Sequence, residues 1–224
     1  MRMGKRRTAA AIVGLAFLAA GCGSQPEYLV DLPAYQLDLA SSSPRMYRPR
    51  PAVASRGETG HSEWAAKGQR PWRYIVIHHS ATDTGSAEIF DSAHRARGWD
   101  ELGYHFVINN GSGRRDGLVE VGSRWRSQKW GAHCGGTPDN EYNNHGIGIC
   151  LVGEYCNYVP SRAQMASLEK LLVYLMRTYD IPPENIIGHC DAPNACTKCP
   201  GSALHAWIHD TLRMKLARYL AAAE

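Results

Sequence analysis

The stretch Tyr74-Ile75-Val76-Ile77-His78-His79-Ser80 decides the fold. Its first four residues are β-branched or aromatic, and the short run predicts a buried strand that ends on polar side chains. Downstream, Ser86 to Arg97 predicts a helix, with Ile89, Phe90 and Ala93 on one face and Gly98 just beyond its end. Tyr104 to Ile108 predicts a second strand, ended by Asn109-Asn110-Gly111. Leu118 to Val121 predicts a third. A loop rich in Gly and Asn follows from Gly131 to Asn144, and Ile147 to Val152 predicts a fourth strand with Gly146, Gly148 and Gly153 around it. Ser161 and Gln164 then form a capping-box pattern at the start of a long helix. Its core face is Met165, Leu168, Leu172, Leu175 and Tyr179, and Pro182-Pro183 stops it. A last helix spans about Ala203 to Leu220, with Leu204, Trp207, Ile208, Leu212 and Leu216 inward. Strands interleaved with helices predict a single α/β domain over residues 71–224, a mixed central β-sheet flanked by helices.

Upstream of this domain the sequence changes character. Arg2, Lys5, Arg6 and Arg7 precede an apolar run from Ala9 to Ala20 that is short for a membrane span. Ala19, Ala20 and Gly21 then lead to Cys22. The arrangement resembles a bacterial lipoprotein signal over residues 1–21, with cleavage before Cys22 and lipid attachment there. The expectation is export and a membrane anchor. Gly23 rather than Asp after the cysteine favours, by the same resemblance, the periplasmic face of an outer membrane. Residues 22–70 contain Ser41-Ser42-Ser43-Pro44 and Arg48-Pro49-Arg50-Pro51, which read as a Pro/Ser-rich tether. Removing the four basic signal residues from 25 Lys and Arg leaves 21, against 21 Asp and Glu. A mature chain this close to neutral gives no reason to expect nucleic acid as a partner. Export also places the cysteines where disulfides persist. Cys190–Cys196 and Cys134–Cys156 are candidate pairs, although connectivity is not readable from sequence.

Three positions attract chemical attention. His78 ends the first strand, His189 follows the apolar run Ile186-Ile187-Gly188, and Cys199 lies in Thr197-Lys198-Cys199-Pro200-Gly201. Two imidazoles and a thiolate form a reasonable zinc set that leaves one position open, as a catalytic zinc requires. Spacing alone does not single these three out from ten His and seven Cys. Cys196 remains a rival to Cys199.

The surrounding residues narrow the choice. Ile75-Val76-Ile77-His78-His79-Ser80-Ala81-Thr82 resembles the opening strand of the type 2 N-acetylmuramoyl-L-alanine amidases, a family that includes phage T7 lysozyme and the peptidoglycan recognition proteins. The resemblance continues through His94, Gly98-Trp99 and Leu102-Gly103-Tyr104-His105-Phe106. It reappears at Gly131-Ala132-His133 and at Ile147-Gly148-Ile149-Cys150-Leu151-Val152-Gly153, and it closes with Gly188-His189 and Thr197-Lys198-Cys199-Pro200-Gly201. It implies an amidase/peptidoglycan-recognition-like fold and zinc held by His78, His189 and Cys199. His79 then becomes a neighbour rather than a ligand. Tyr104 matches the family's active-site tyrosine. Thr197 matches a position held by lysine or threonine in active members. Members that bind without cutting usually lack the cysteine ligand, so Cys199 favours an enzyme. The implied substrate is peptidoglycan or a muropeptide, cut between N-acetylmuramic acid and L-alanine. His94, Trp99 and His133 are the candidate substrate contacts: His133 sits in the glycine-rich loop that would border the groove, while Trp99 and His94 read equally as packing where the helix meets the second strand. Two departures stand out: the interval from His189 to Cys199 is about two residues longer than in close relatives, and Cys150 sits where another branch of the family carries a glutamate base. The competing readings are a non-cutting wall-binding module of the same fold and a zinc hydrolase of another amide.

Overall fold

A computed structural model describes residues 62–222. The signal at 1–21, the lipid site at Cys22 and most of the tether lie outside the described residues. Five strands form one sheet: β1 (Tyr74–His79), β2 (Phe106–Ile108), β3 (Val119–Val121), β4 (Gly146–Leu151) and β5 (Ile186–Gly188). Their order is β3-β2-β4-β1-β5. β1 runs parallel to β4 and β5, β2 runs parallel to β4, and β3 is antiparallel to β2. The sheet is therefore mixed, as the sequence pattern predicts. The fifth strand was not predicted. Its Ile186-Ile187-Gly188 is too short to show a period and gains its partner only from β1.

The two faces of the sheet differ. Ile75 and Ile77 of β1, Ile147, Ile149 and Leu151 of β4, and Phe106 and Ile108 of β2 belong to the main core. They share it with Leu168, Leu171, Leu172 and Leu175 of the long helix Arg162–Tyr179 and with Leu204, Ile208, Leu212 and Leu216 near the C-terminus. The predicted last helix is present as Ser202–Trp207 and Arg213–Ala222 joined by a π-helical turn at Ile208–Leu212. The alternation of a strand sends Val76, His78 and Cys150 to the opposite face. There helix α1 (Ala87–Ala96) lies nearby, capped by the Ser86 hydroxyl, which accepts from the Ile89 N–H. That second face carries the chemistry.

The capping box at the start of the long helix has a further use. Gln164 is 1% exposed, and its amide donates to the carbonyls of Ile108 and Val152, at the ends of β2 and β4. Its own oxygen accepts from the Ser161 N–H and the Tyr155 hydroxyl. A buried amide with both ends satisfied pins the helix to the strand ends and avoids the ~1–3 kcal/mol cost of an unpaired polar group.

The packed core takes in residues ahead of 71. Trp64 is 5% exposed, its ring lies 5.5 Å from that of Tyr174, and its carbonyl accepts from the Trp125 indole N–H at 2.7 Å. Neither candidate disulfide is present: Cys190 and Cys196 are both free thiols, and Cys134 is free and so is not joined to Cys156. Cys134 is sealed beside Val76, Ile187 and Ala192, whereas Cys196 is exposed on its loop.

Candidate active site

β1 delivers His78 at the centre of the second face, and β5, paired beside it, ends where His189 begins. The chain then loops out and returns. The Cys190 N–H donates to the Cys199 carbonyl at 2.8 Å, which closes the loop and brings the Cys199 sulfur to 3.5 Å from His78 Nδ1. The ligand atoms of His78, His189 and Cys199 all lie within 4.8 Å of one another. Cys196, the rival, is exposed and outside this group. His79 points to the other side, where its Nδ1 accepts from the Tyr155 N–H.

The donor set suits zinc: one soft sulfur and two imidazoles, with a fourth tetrahedral position left for a reactant. Burial, reinforced by His133, His189 and His79, holds the His78 pKa well below the ordinary value. The ring is neutral, the form in which imidazole ligates a metal. Burial also pushes the metal-free Cys199 thiol up to about 12. Metal capture at neutral pH must therefore expel that proton. Thr197 sits on the ligand loop, and its hydroxyl oxygen accepts from the Cys199 N–H at 3.1 Å. Its own O–H remains available to donate elsewhere.

A row of rings leads from solvent to the group formed by His78, His189 and Cys199. Trp99 is 40% exposed and lies 4.5 Å from the His94 ring, His94 is 5.7 Å from Tyr104, and Tyr104 is 5.2 Å from His78. His94 Nδ1 accepts from the Gly103 N–H, so its proton sits on Nε2. Burial, with the neighbouring Cys150 and Cys199, raises the Tyr104 pKa well above the ordinary tyrosine value. The phenol is held protonated, a hydrogen-bond donor rather than a base. Trp125 is core, while Trp130 is exposed.

His133 does not fit the substrate-contact role expected from the sequence. It is 7% exposed and lies behind His78, with Nδ1 at 3.1 Å from His78 Nε2 and Nε2 at 3.2 Å from the Gly146 carbonyl. Both ring nitrogens are engaged by the protein. Asn143 was missed in the sequence: its Oδ1 accepts from the backbone N–H groups of His133 and Cys134 and clamps the loop. The readable signal was Gly148, since a glycine inside a strand marks a close approach. A Cβ there would meet the His133 ring at 2.3 Å.

Beneath His133 lies His105, fully buried, accepting from the Gly148 N–H at Nδ1 and donating from Nε2 to the Lys129 carbonyl. Protonation at Nδ1 would set two N–H groups against each other. Burial lowers the His105 pKa from 6.5 to about 4. Between those values the unfolded chain takes up a proton that the folded one refuses. Stability is full above pH 6.5 and falls as the pH drops toward 4, by roughly 3 kcal/mol for this ring alone. Urea midpoints of the metal-free protein should decline over that window, and a flat profile would contradict the assignment.

A second group, Cys190, Asp191 and His205, also gathers possible metal donors. It is internally satisfied. Asp191 accepts from the Gly188 N–H, from His205 at 2.7 Å and from His209 at 2.9 Å, and Arg213 reaches the far side of His209. Its work is to hold the C-terminal helix against the ligand loop.

Comparison with known proteins agrees with this geometry. A family model described as N-acetylmuramoyl-L-alanine amidase matches residues 68–202. The endolysin of Enterobacteria phage K11 is 38% identical over 147 residues, covering 60% of this chain and 83% of that protein. Peptidoglycan recognition protein 1 of Bos taurus is 31% identical over 169 residues, covering 70% and 82%. Among solved structures, N-acetylmuramoyl-L-alanine amidase LysC from Clostridium intestinale URNW superposes with a TM-score of 0.53 at 27% identity, covering 67% of this chain and 86% of that one.

Proposed function

The chain belongs to the N-acetylmuramoyl-L-alanine amidase family, and from that premise we propose that it is a zinc-dependent member that hydrolyses the amide between N-acetylmuramic acid and L-alanine in bacterial peptidoglycan. The observation that carries this reading is the convergence of His78, His189 and Cys199, with all three donor atoms within 4.8 Å. Zinc held there would supply Lewis acidity, making water acidic enough to attack at neutral pH and polarising a carbonyl.

The chain's own residues do the rest. The protonated Tyr104 hydroxyl, 5.2 Å ring to ring from His78, donates to the oxygen that gains negative charge as the lactyl carbonyl becomes tetrahedral. The free O–H of Thr197 is a second donor on the ligand-loop side. His94 presents Nε2–H, and Trp99 offers a half-exposed indole face where a sugar ring can stack. The N-terminal sequence supports export and tethering through Cys22, which would hold the enzyme beside its polymeric substrate.

The test is product mass. Zinc-loaded protein incubated with intact peptidoglycan should release peptides that begin with L-alanine and leave the glycan strands whole, and a chelator should stop the release. Glycan fragments, peptides cut internally or an untouched polymer would each refute the assignment.

A further inference from the structure

We propose that His133 is a positioning residue that fixes the tautomer of His78 so that Nδ1, and not Nε2, is the nitrogen offered to the metal. The inference rests on the zinc reading above and goes beyond it, because His133 would touch neither metal nor substrate.

The argument starts at a carbonyl. Gly146 O can only accept, so the His133 nitrogen 3.2 Å away, Nε2, carries hydrogen. In a neutral ring that leaves Nδ1 bare. Nδ1 lies 3.1 Å from His78 Nε2, which must therefore carry hydrogen to complete the pair. His78 Nδ1 is left with an open lone pair, and it is the nitrogen 3.5 Å from the Cys199 sulfur. Carbonyl, outer imidazole and inner imidazole thus form one directional relay. Metal-ligating histidines generally donate their second N–H to a carboxylate or carbonyl. Here a second histidine stands between.

The protein builds a slot for this ring. A Cβ at Gly148 or at Gly131 would each come within 2.3 Å of the His133 ring, so both positions exclude every larger residue while His133 keeps its pose. Asn143 fixes the backbone of the loop from below through the His133 and Cys134 N–H groups, and the Gly131 N–H donates to the Asn143 carbonyl. Ring, slot and clamp all serve one orientation.

Two variants separate positioning from packing. Asparagine places an acceptor where Nδ1 was but cannot reach Gly146. Glutamine places a donor where Nε2 was but offers His78 no acceptor there. Both are smaller than histidine and fit the slot. H133Q should weaken zinc binding by about 10–100-fold, the usual cost of losing such an outer partner. H133N should stay within a few-fold of wild type. The readout is zinc Kd by competition with a chromogenic chelator, alongside thermal melts of the metal-free proteins. A packing role predicts instead that the two variants shift affinity together with stability. Equal affinity of H133Q and wild type would overturn the proposal. A second measurement needs no variant: ¹⁵N shifts of the wild-type imidazoles should report hydrogen on Nε2 of both His78 and His133, and hydrogen on His78 Nδ1 would overturn it equally. Failure of wild-type protein to bind zinc at all would instead bring down the functional reading, and this inference with it.

Discussion

Cys199→Ala is expected to release the metal and reduce amide hydrolysis to background. The sulfur lies 3.5 Å from His78 Nδ1 and accepts from the His79 N–H at 3.4 Å, so removing it takes away one of three ligands and leaves two imidazoles that cannot grip zinc alone. The loss should exceed the ~10–100-fold typical of outer-shell changes. Cys196→Ala is the matched control, because Cys196 is exposed and outside the group. It should keep full zinc content and full activity. Stoichiometric zinc in purified Cys199→Ala, or an empty site in Cys196→Ala, would move the third ligand elsewhere. The fold should survive the substitution, because the ligand loop is also held by the Cys190 N–H to Cys199 carbonyl bond and by the Asp191 network, neither of which uses the sulfur.

Tyr104→Phe should lower kcat by about 10²–10³-fold, the range for removal of one donor to a developing oxyanion, while zinc content stays at one per chain. The phenol is placed by the residues that follow it: the His105 N–H donates to the Gly148 carbonyl, and β2 continues from Phe106. Phenylalanine keeps the ring contacts with His78 and His94 and loses only the hydroxyl. KM should change little, because the interaction strengthens only as charge develops. A variant that turns over as fast as wild type with its metal in place would remove Tyr104 from the chemistry and leave Thr197 as the remaining donor.

Some of this structure was legible in the sequence and some was not, for physical reasons. The helix Arg162–Tyr179 was legible because it buries Leu168, Leu172 and Leu175 at helical spacing, and β1 because it is an unbroken apolar run buried on both faces. Helix α1 was found, but not its inward face: Ile89 is 51% exposed, Ala93 is exposed, and the residue of that helix that is buried is His94. The Ser161 and Gln164 capping box was readable too, although Gln164's bonds to Ile108 and Val152 were not, since they depend on strands far away in the chain. His78, His189 and Cys199 were found through resemblance rather than spacing. The structure brings them together as expected, but only the pairing of β1 with β5 explains why. The placement of His133 was not legible because a histidine in a glycine-rich loop looks solvent-facing, whereas Gly131 two residues before it and Gly148 on β4 together leave the space its ring fills. Trp64 was assigned to the tether because the residues around it carry no period, yet its ring and carbonyl are bound by Tyr174 and Trp125.

His78 and Cys199 touch across 121 positions of sequence. A ribosome must therefore deliver the chain through Cys199 before these two side chains can meet. On the proposed zinc reading, a product that stops short of Cys199 would lack the third donor atom and would not hydrolyse peptidoglycan, so truncation at residue 198 should abolish hydrolysis.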